Sequence, residues 1–165
     1  MLLKLRTLAG AAIGIGIGIV TAVDAQVLTH RDIGVHMAIN MVNAALADCE
    51  SKGLSVSVVV LNNVGEVRAM AMGDRGAPHN IELAERKAYT ALTFKRPSRE
   101  WVERTGPDSP VAGQRSLSRV IALPGGIPVK IGEETIGAVG VSGSALDTDE
   151  ACAVTAAKSV ASELK

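Results

Sequence analysis

Three histidines, two cysteines and several arginines carry most of the chemistry this chain can offer. His79 ends the loop Gly73-Asp74-Arg75-Gly76-Ala77-Pro78-His79, directly ahead of a helix predicted to begin near Asn80. The free N–H groups and the dipole of a helix start favour a carboxylate or another anion. Arg75 in the same loop and Arg68 on the strand before it can add charge-assisted hydrogen bonds to such a group. His36 is the second candidate. Helical spacing places it with Asn40 and Asn43 on an outward stripe, a pattern that also suits a plain solvated face. His30 lies near the start of the mature chain and is the weakest of the three.

The cysteines are Cys49 and Cys152. No C-x-x-C pair exists, so neither a redox centre nor a zinc site is indicated. Each falls in a predicted helix. A bridge between them would close a loop of about 100 residues, which loop-closure entropy values at roughly 4–5 kcal/mol. Two buried thiols acting as small apolar side chains are the alternative. Compartment bears on the choice. Lys4 and Arg6 precede an apolar run from Leu8 to Val23, and Val23-Asp24-Ala25 has small residues where a signal peptidase reads. The expectation is a signal peptide over 1–25 and one domain over 26–165, exported to a periplasm or the medium, where disulfides persist. Glycines dilute the apolar run, which is also short for a membrane span. Losing 1–25 leaves 15 basic and 16 acidic side chains, a net of −1. Such a balance points to no nucleic-acid surface.

A catalytic reading is poorly supported. Ser142 stands in Gly140-Val141-Ser142-Gly143-Ser144, near a nucleophile-elbow pattern, but no predicted helix follows the strand at once. Asp147, Asp149 and Glu150 read as helix-start acids rather than a calcium loop. Lys87 and Arg86 read as surface ion-pair partners.

The elements that must position these groups follow from periodicity. Apolar content is 47% but aromatics only 2%, so the core must be aliphatic. Thr29 and Asp32 suggest the start of a helix running to about Lys52, with Val35, Ile39, Val42, Leu46 and Cys49 inward and Ala38 and Ala45 beside them. Ser55–Leu61 and Glu66–Met72 read as a hairpin around Asn62-Asn63-Val64-Gly65. A second helix runs to before Pro97, with Ala84, Ala88 and Ala91 on a narrow face, and a short helix spans Arg99–Arg104. Ser116–Leu123 reads as a further short strand. Ile127–Ile131 and Thr135–Val141 form the hairpin on which the rest is organised, and Gly137 and Gly140 within it mark a bulge or a close backbone approach. A last helix starts at Asp147 or Thr148, with Asp147 and Glu150 as its cap and Ala153, Ala156 and Val160 inward. Together these give an α+β fold: a mainly antiparallel five-stranded sheet covered by helices, long ones at both chain ends.

The strings PGGIPVKIGEETIGAVGVSG and DTDEACA, with PHNIELAERKAYTALTF upstream, resemble the GlcG/HbpS-type haem-binding family, related to the PduO C-terminal domain of corrinoid enzymes. The resemblance spans roughly Leu28 to Leu164. It implies a profilin-like fold, assembly into a homo-oligomer, and haem or another tetrapyrrole as ligand, in haem or iron handling. Under that reading His79 is the candidate iron ligand, since histidine is the commonest haem ligand. Two departures are visible. Asn62 stands where the family often has Asp, and Ala71-Met72-Gly73-Asp74-Arg75-Gly76-Ala77 replaces a frequent R-M-D-G-A string. Alternatives are a non-catalytic oligomeric accessory to a periplasmic enzyme, or a role in small organic-acid metabolism.

Overall fold

The computed structural model describes residues 26–165; the signal-peptide reading of 1–25 falls outside them. Helix α1 spans Val35–Glu50, strands β1 Ser57–Asn62 and β2 Val67–Met72, helix α2 His79–Phe94, helix α3 Ser98–Arg104, strands β3 Gly126–Ile131 and β4 Glu134–Ser142, and helix α4 Leu146–Ser159. The strands form one antiparallel sheet in the order β2-β1-β4-β3.

Alternation along β1 decides which layer goes where. Val58 and Val60 join Val139 and Val141 of β4 on one face, beneath Ala38, Met41 and Ala45 of α1 and Ala153 and Ala156 of α4. Val59 and Leu61 face the other way with Ala138, beneath Ala84, Ala88 and Ala91 of α2. Both faces of β1 are covered, and all six of its residues are buried. The result is a helix pair on one face and a single long helix on the other.

Glycine sets how closely α2 lies. A Cβ at Gly140 would sit 2.0 Å from the Ala84 carbonyl oxygen, and one at Gly126 would sit 2.0 Å from that of Lys87. Thus the glycine expected to mark a close approach does so, and the hairpin is the bed of α2. On the opposite face, Cys49 of α1 and Cys152 of α4 are joined in a disulfide across 103 residues.

Three expectations are corrected. The sheet has four strands, because Ser116–Leu123 is not one. Backbone groups there bond to side chains of α2: Arg86 Nη2 donates to Val120 O (2.9 Å), and Thr90 Oγ1 both accepts from Ile121 N (2.9 Å) and donates to Ile121 O (3.2 Å). Helix α1 starts later than predicted, after Gly34, because Asp32 is drawn away from capping. Its Oδ1 accepts from Ile33 N (2.8 Å) and Asn63 N (3.0 Å). Of the expected inward residues, Ala38, Val42, Ala45 and Cys49 are buried and Met41 joins them, while Val35 and Ile39 are exposed. Finally, Asp147 and Glu150 do not cap α4; both pair with Arg99 of α3.

Candidate functional site

At the Ser57–Ser142 end of the sheet, the starts of α2 and α4 meet over one hollow of about 420 Å³. His79 and Asn80 line it from the first turn of α2, and Leu146 lines it from the first residue of α4. Leu83 and Leu123 add apolar wall, and Ser142, Gly143 and Ser144 form the side supplied by the end of β4. His79 is exposed at the rim, while Asn80 is 92% buried. Gly143, at φ +142°, takes a backbone conformation that disfavours a side chain, and a Cβ there would approach Asn80 Nδ2 to 3.3 Å.

The floor is ionic. Lys87 of α2 and Asp149 of α4 also line the hollow, both side chains 1% exposed, with Nζ 2.8 Å from Oδ2. Lys87 donates a second bond to Val141 O (3.0 Å). Asp149 Oδ1 accepts from the backbone N–H and the hydroxyl of Ser144, both at 2.9 Å. Each charge therefore has two or more partners, which a buried ion pair needs to offset desolvation. Burial pulls the Lys87 ammonium below its ordinary value, and the bond and charge of Asp149 oppose that. The surface-pair reading of Lys87 is thereby corrected. Arg86 stays partly exposed beside Glu82, and its Nη2 bond to Val120 O holds the segment after α3.

The other predicted site residues lie apart. Arg75 lines a separate hollow of about 400 Å³ with Glu50, Gly53, Leu54, Ser55 and Asp74, and its backbone N–H is held by Ser55 Oγ (3.0 Å). Arg68 sits toward the far end of β2. It donates to Ile33 O (3.2 Å) and pairs with Asp32 (3.3 Å), so it holds the lead into α1. His36 is exposed on α1, which packs on the opposite face of the sheet from α2. Only His79 of the four reaches the hollow. Sequence reasoning missed Asn80 and the Lys87–Asp149 pair as members. The signal was present for the pair: Ala84, Lys87, Ala88 and Ala91, like Asp149, Cys152, Ala153 and Ala156, fall at i, i+3, i+4, i+7 of a buried stripe.

Among the described residues, no group of three or more His, Cys, Asp or Glu stands together as a site for a bare metal ion. No helix among them is long and apolar enough to cross a membrane.

An α+β domain with two helix starts over a partly polar hollow is the class that this fold and site define. Residues 33–158 match the family described as haem degrading protein HbpS-like, and the chain belongs to that family. It is 30% identical over 106 residues to protein GlcG of Escherichia coli (strain K12), covering 64% of this chain and 78% of that one. The solved structure of HbpS superposes with a TM-score of 0.77 at 28% identity, covering 84% of this chain and 97% of that one. The haem complex of PduOC superposes at 0.75 and 23% identity, covering 79% and 96%, and shares the fold. The expected GlcG/HbpS membership and α+β architecture hold, with one strand fewer.

Proposed function

We propose that this chain is an exported protein that binds haem or a closely related tetrapyrrole at the hollow beside His79. Membership of the HbpS-like family carries the reading. The residues present suit the ligand. Leu83, Leu123 and Leu146 offer apolar surface for a macrocycle, His79 offers an exposed imidazole for the iron, and the helix starts offer N–H groups for its carboxylates. Bound haem would supply iron chemistry; the chain itself supplies the imidazole, the apolar walls and the donors. Arg75, Arg68 and His36 have no part in this reading, since each lies away from the hollow. Export is supported by the charged and apolar pattern of residues 1–25 and by the Cys49–Cys152 disulfide.

Titration of the mature protein with haemin tests the reading. A saturable shift of the Soret band is expected, lost in His79→Ala and kept in His36→Ala. No saturable shift in the wild type overturns it.

Homo-oligomerisation is the accompanying proposal. Val67, Met70 and Met72 are exposed on β2, an edge strand whose outer backbone groups have no sheet partner among the described residues. Such an edge is blunted by pairing or cover. Light scattering on the eluted protein should give a mass above the monomer, reduced by Met70→Lys with Met72→Lys.

A further inference from the structure

We infer that the inner end of the hollow is a carboxylate-binding subsite, built around Asn80 and Ser142. The two helix starts alone would not carry this. The buried side chains between them do.

Asn80 is 92% buried and lines the hollow, yet its side-chain amide makes no hydrogen bond to any described residue. Its amide atoms are not fully enclosed, so they open onto the hollow, where a ligand's acceptor can take the place of a protein partner. Ser142 is 97% buried, lines the same space, and its hydroxyl likewise has no described partner. Directly across the β1–β4 ladder from it, Ser57 Oγ is fully buried and unpartnered. Residues opposite each other on a ladder share a face, so the two hydroxyls stand side by side toward α2. Gly143 keeps open the space beside Asn80 Nδ2.

Sign follows from what is already spent. Both oxygens of Asp149 are engaged, Oδ2 by Lys87 and Oδ1 by Ser144, and its charge is matched by the ammonium. Remaining capacity is donor-rich: two N–H of Asn80, the hydroxyl of Ser142, the first amides of two helices, and the third proton of Lys87. A planar anion with two acceptor oxygens meets that set, and a cation does not. The matching chemistry is a carboxylate on a short apolar stem, with Leu83 and Leu146 beside the stem. It has two sources: a side chain of a tetrapyrrole, in which case the subsite deepens the haem reading, or a free small carboxylate.

The mature protein, labelled with nitrogen-15, is titrated with sodium propionate and separately with propionamide, its neutral isostere. Saturable shifts of the Asn80 side-chain amide and of the His79 and Leu146 backbone amides are expected with propionate only. Asn80→Asp, which keeps the shape and adds a negative charge, should weaken propionate at least tenfold while leaving the remaining spectrum folded. Ser142→Ala should weaken it severalfold. Haemin and haemin dimethyl ester then separate the sources. An ester binding at least tenfold more weakly than haemin, with the difference abolished in Asn80→Asp, assigns the subsite to the tetrapyrrole. Saturable propionate shifts with no haemin binding assign it to a free carboxylate, and overturn the haem reading without touching the subsite. Equal response to propionate and propionamide, or none to either, overturns the subsite.

Discussion

Lys87 Nζ lies 2.8 Å from Asp149 Oδ2, and neither side chain retains more than 1% of its exposure. The pair ties the middle of α2 to the first turn of α4 across the end of β4, whose Val141 carbonyl accepts the same ammonium (3.0 Å). Removing one partner strands the other charge in a dry place. Lys87→Met and Asp149→Ala should each cost about 3–5 kcal/mol. The double substitution Lys87→Met with Asp149→Leu should recover much of that, since no uncompensated charge remains. Urea midpoints of the four proteins check it; a double variant as unstable as the sum of the singles would mean that the pair acts through packing alone.

How much of this was legible beforehand depends on what each signal measures. The two hairpins and the close approach at Gly140 follow from local turn chemistry and backbone sterics, and the structure has them. The fifth strand failed because periodicity reports burial, while strand identity depends on where backbone hydrogen bonds go. Val120 and Ile121 spend theirs on Arg86 and Thr90. Helix α1 starts after Gly34 because Asp32 had another use, accepting from Asn63 in the β1–β2 turn, than capping a helix. Among site residues, His79 was visible as an imidazole before a helix. Lys87 was hidden by the ordinary rule that lysine is outside, although its place between Ala84 and Ala88 put it in the buried stripe. No local signal joins Lys87 to Asp149, 62 residues away.

The disulfide gives a prediction with a large effect. Cys49 and Cys152 close most of the domain into one loop, with their Cα atoms 6.0 Å apart on facing helices. The chain-entropy account assigns a loop of that size about 4–5 kcal/mol. Cys49→Ala with Cys152→Ala should lower the stability by up to that amount, and a reductant should do the same to the wild type but not to the variant. An unchanged midpoint on reduction would show that the bridge does not form in solution.

Acid should loosen the same helix pair through Asp48. The Lys52 ammonium hydrogen-bonded to it, and then Thr155 Oγ1 of α4, hold its carboxyl below the ordinary 3.8 against a smaller opposing effect of burial. A carboxyl depressed in the folded state stabilises fully above the unfolded value, and that contribution is lost as pH falls through the folded one. Asp48→Asn should therefore flatten part of the acid limb of stability below about pH 4. Because the pair is partly solvated, the loss near neutral pH should stay under about 1 kcal/mol. Denaturation midpoints of wild type and variant from pH 2 to 7 should converge at the acid end; a constant gap would contradict the assignment.

Gly140 carries the last prediction. Its missing side chain is the reason α2 can lie against β4: a Cβ would come within 2.0 Å of Ala84 O and 2.7 Å of Ala88 N. Both are backbone atoms of a helix and cannot rotate aside. To admit one methyl group α2 must lift, and lifting it uncovers Val59, Leu61 and Ala138, which pack against its alanines. Overpacking of a core commonly costs about 1–3 kcal/mol, and a clash with backbone belongs at or above the top of that range. Gly113→Ala is the control, since nothing lies within 4 Å of its Cβ position and it should change stability by less than about 0.5 kcal/mol. The hollow should report the same movement. Its Asn80 and Lys87 ride on α2 while Ser142 and Asp149 do not, so Gly140→Ala should weaken haemin and propionate together, whereas Gly113→Ala leaves both unchanged. Wild-type stability in Gly140→Ala would mean that the helix does not rest on the glycines of the hairpin.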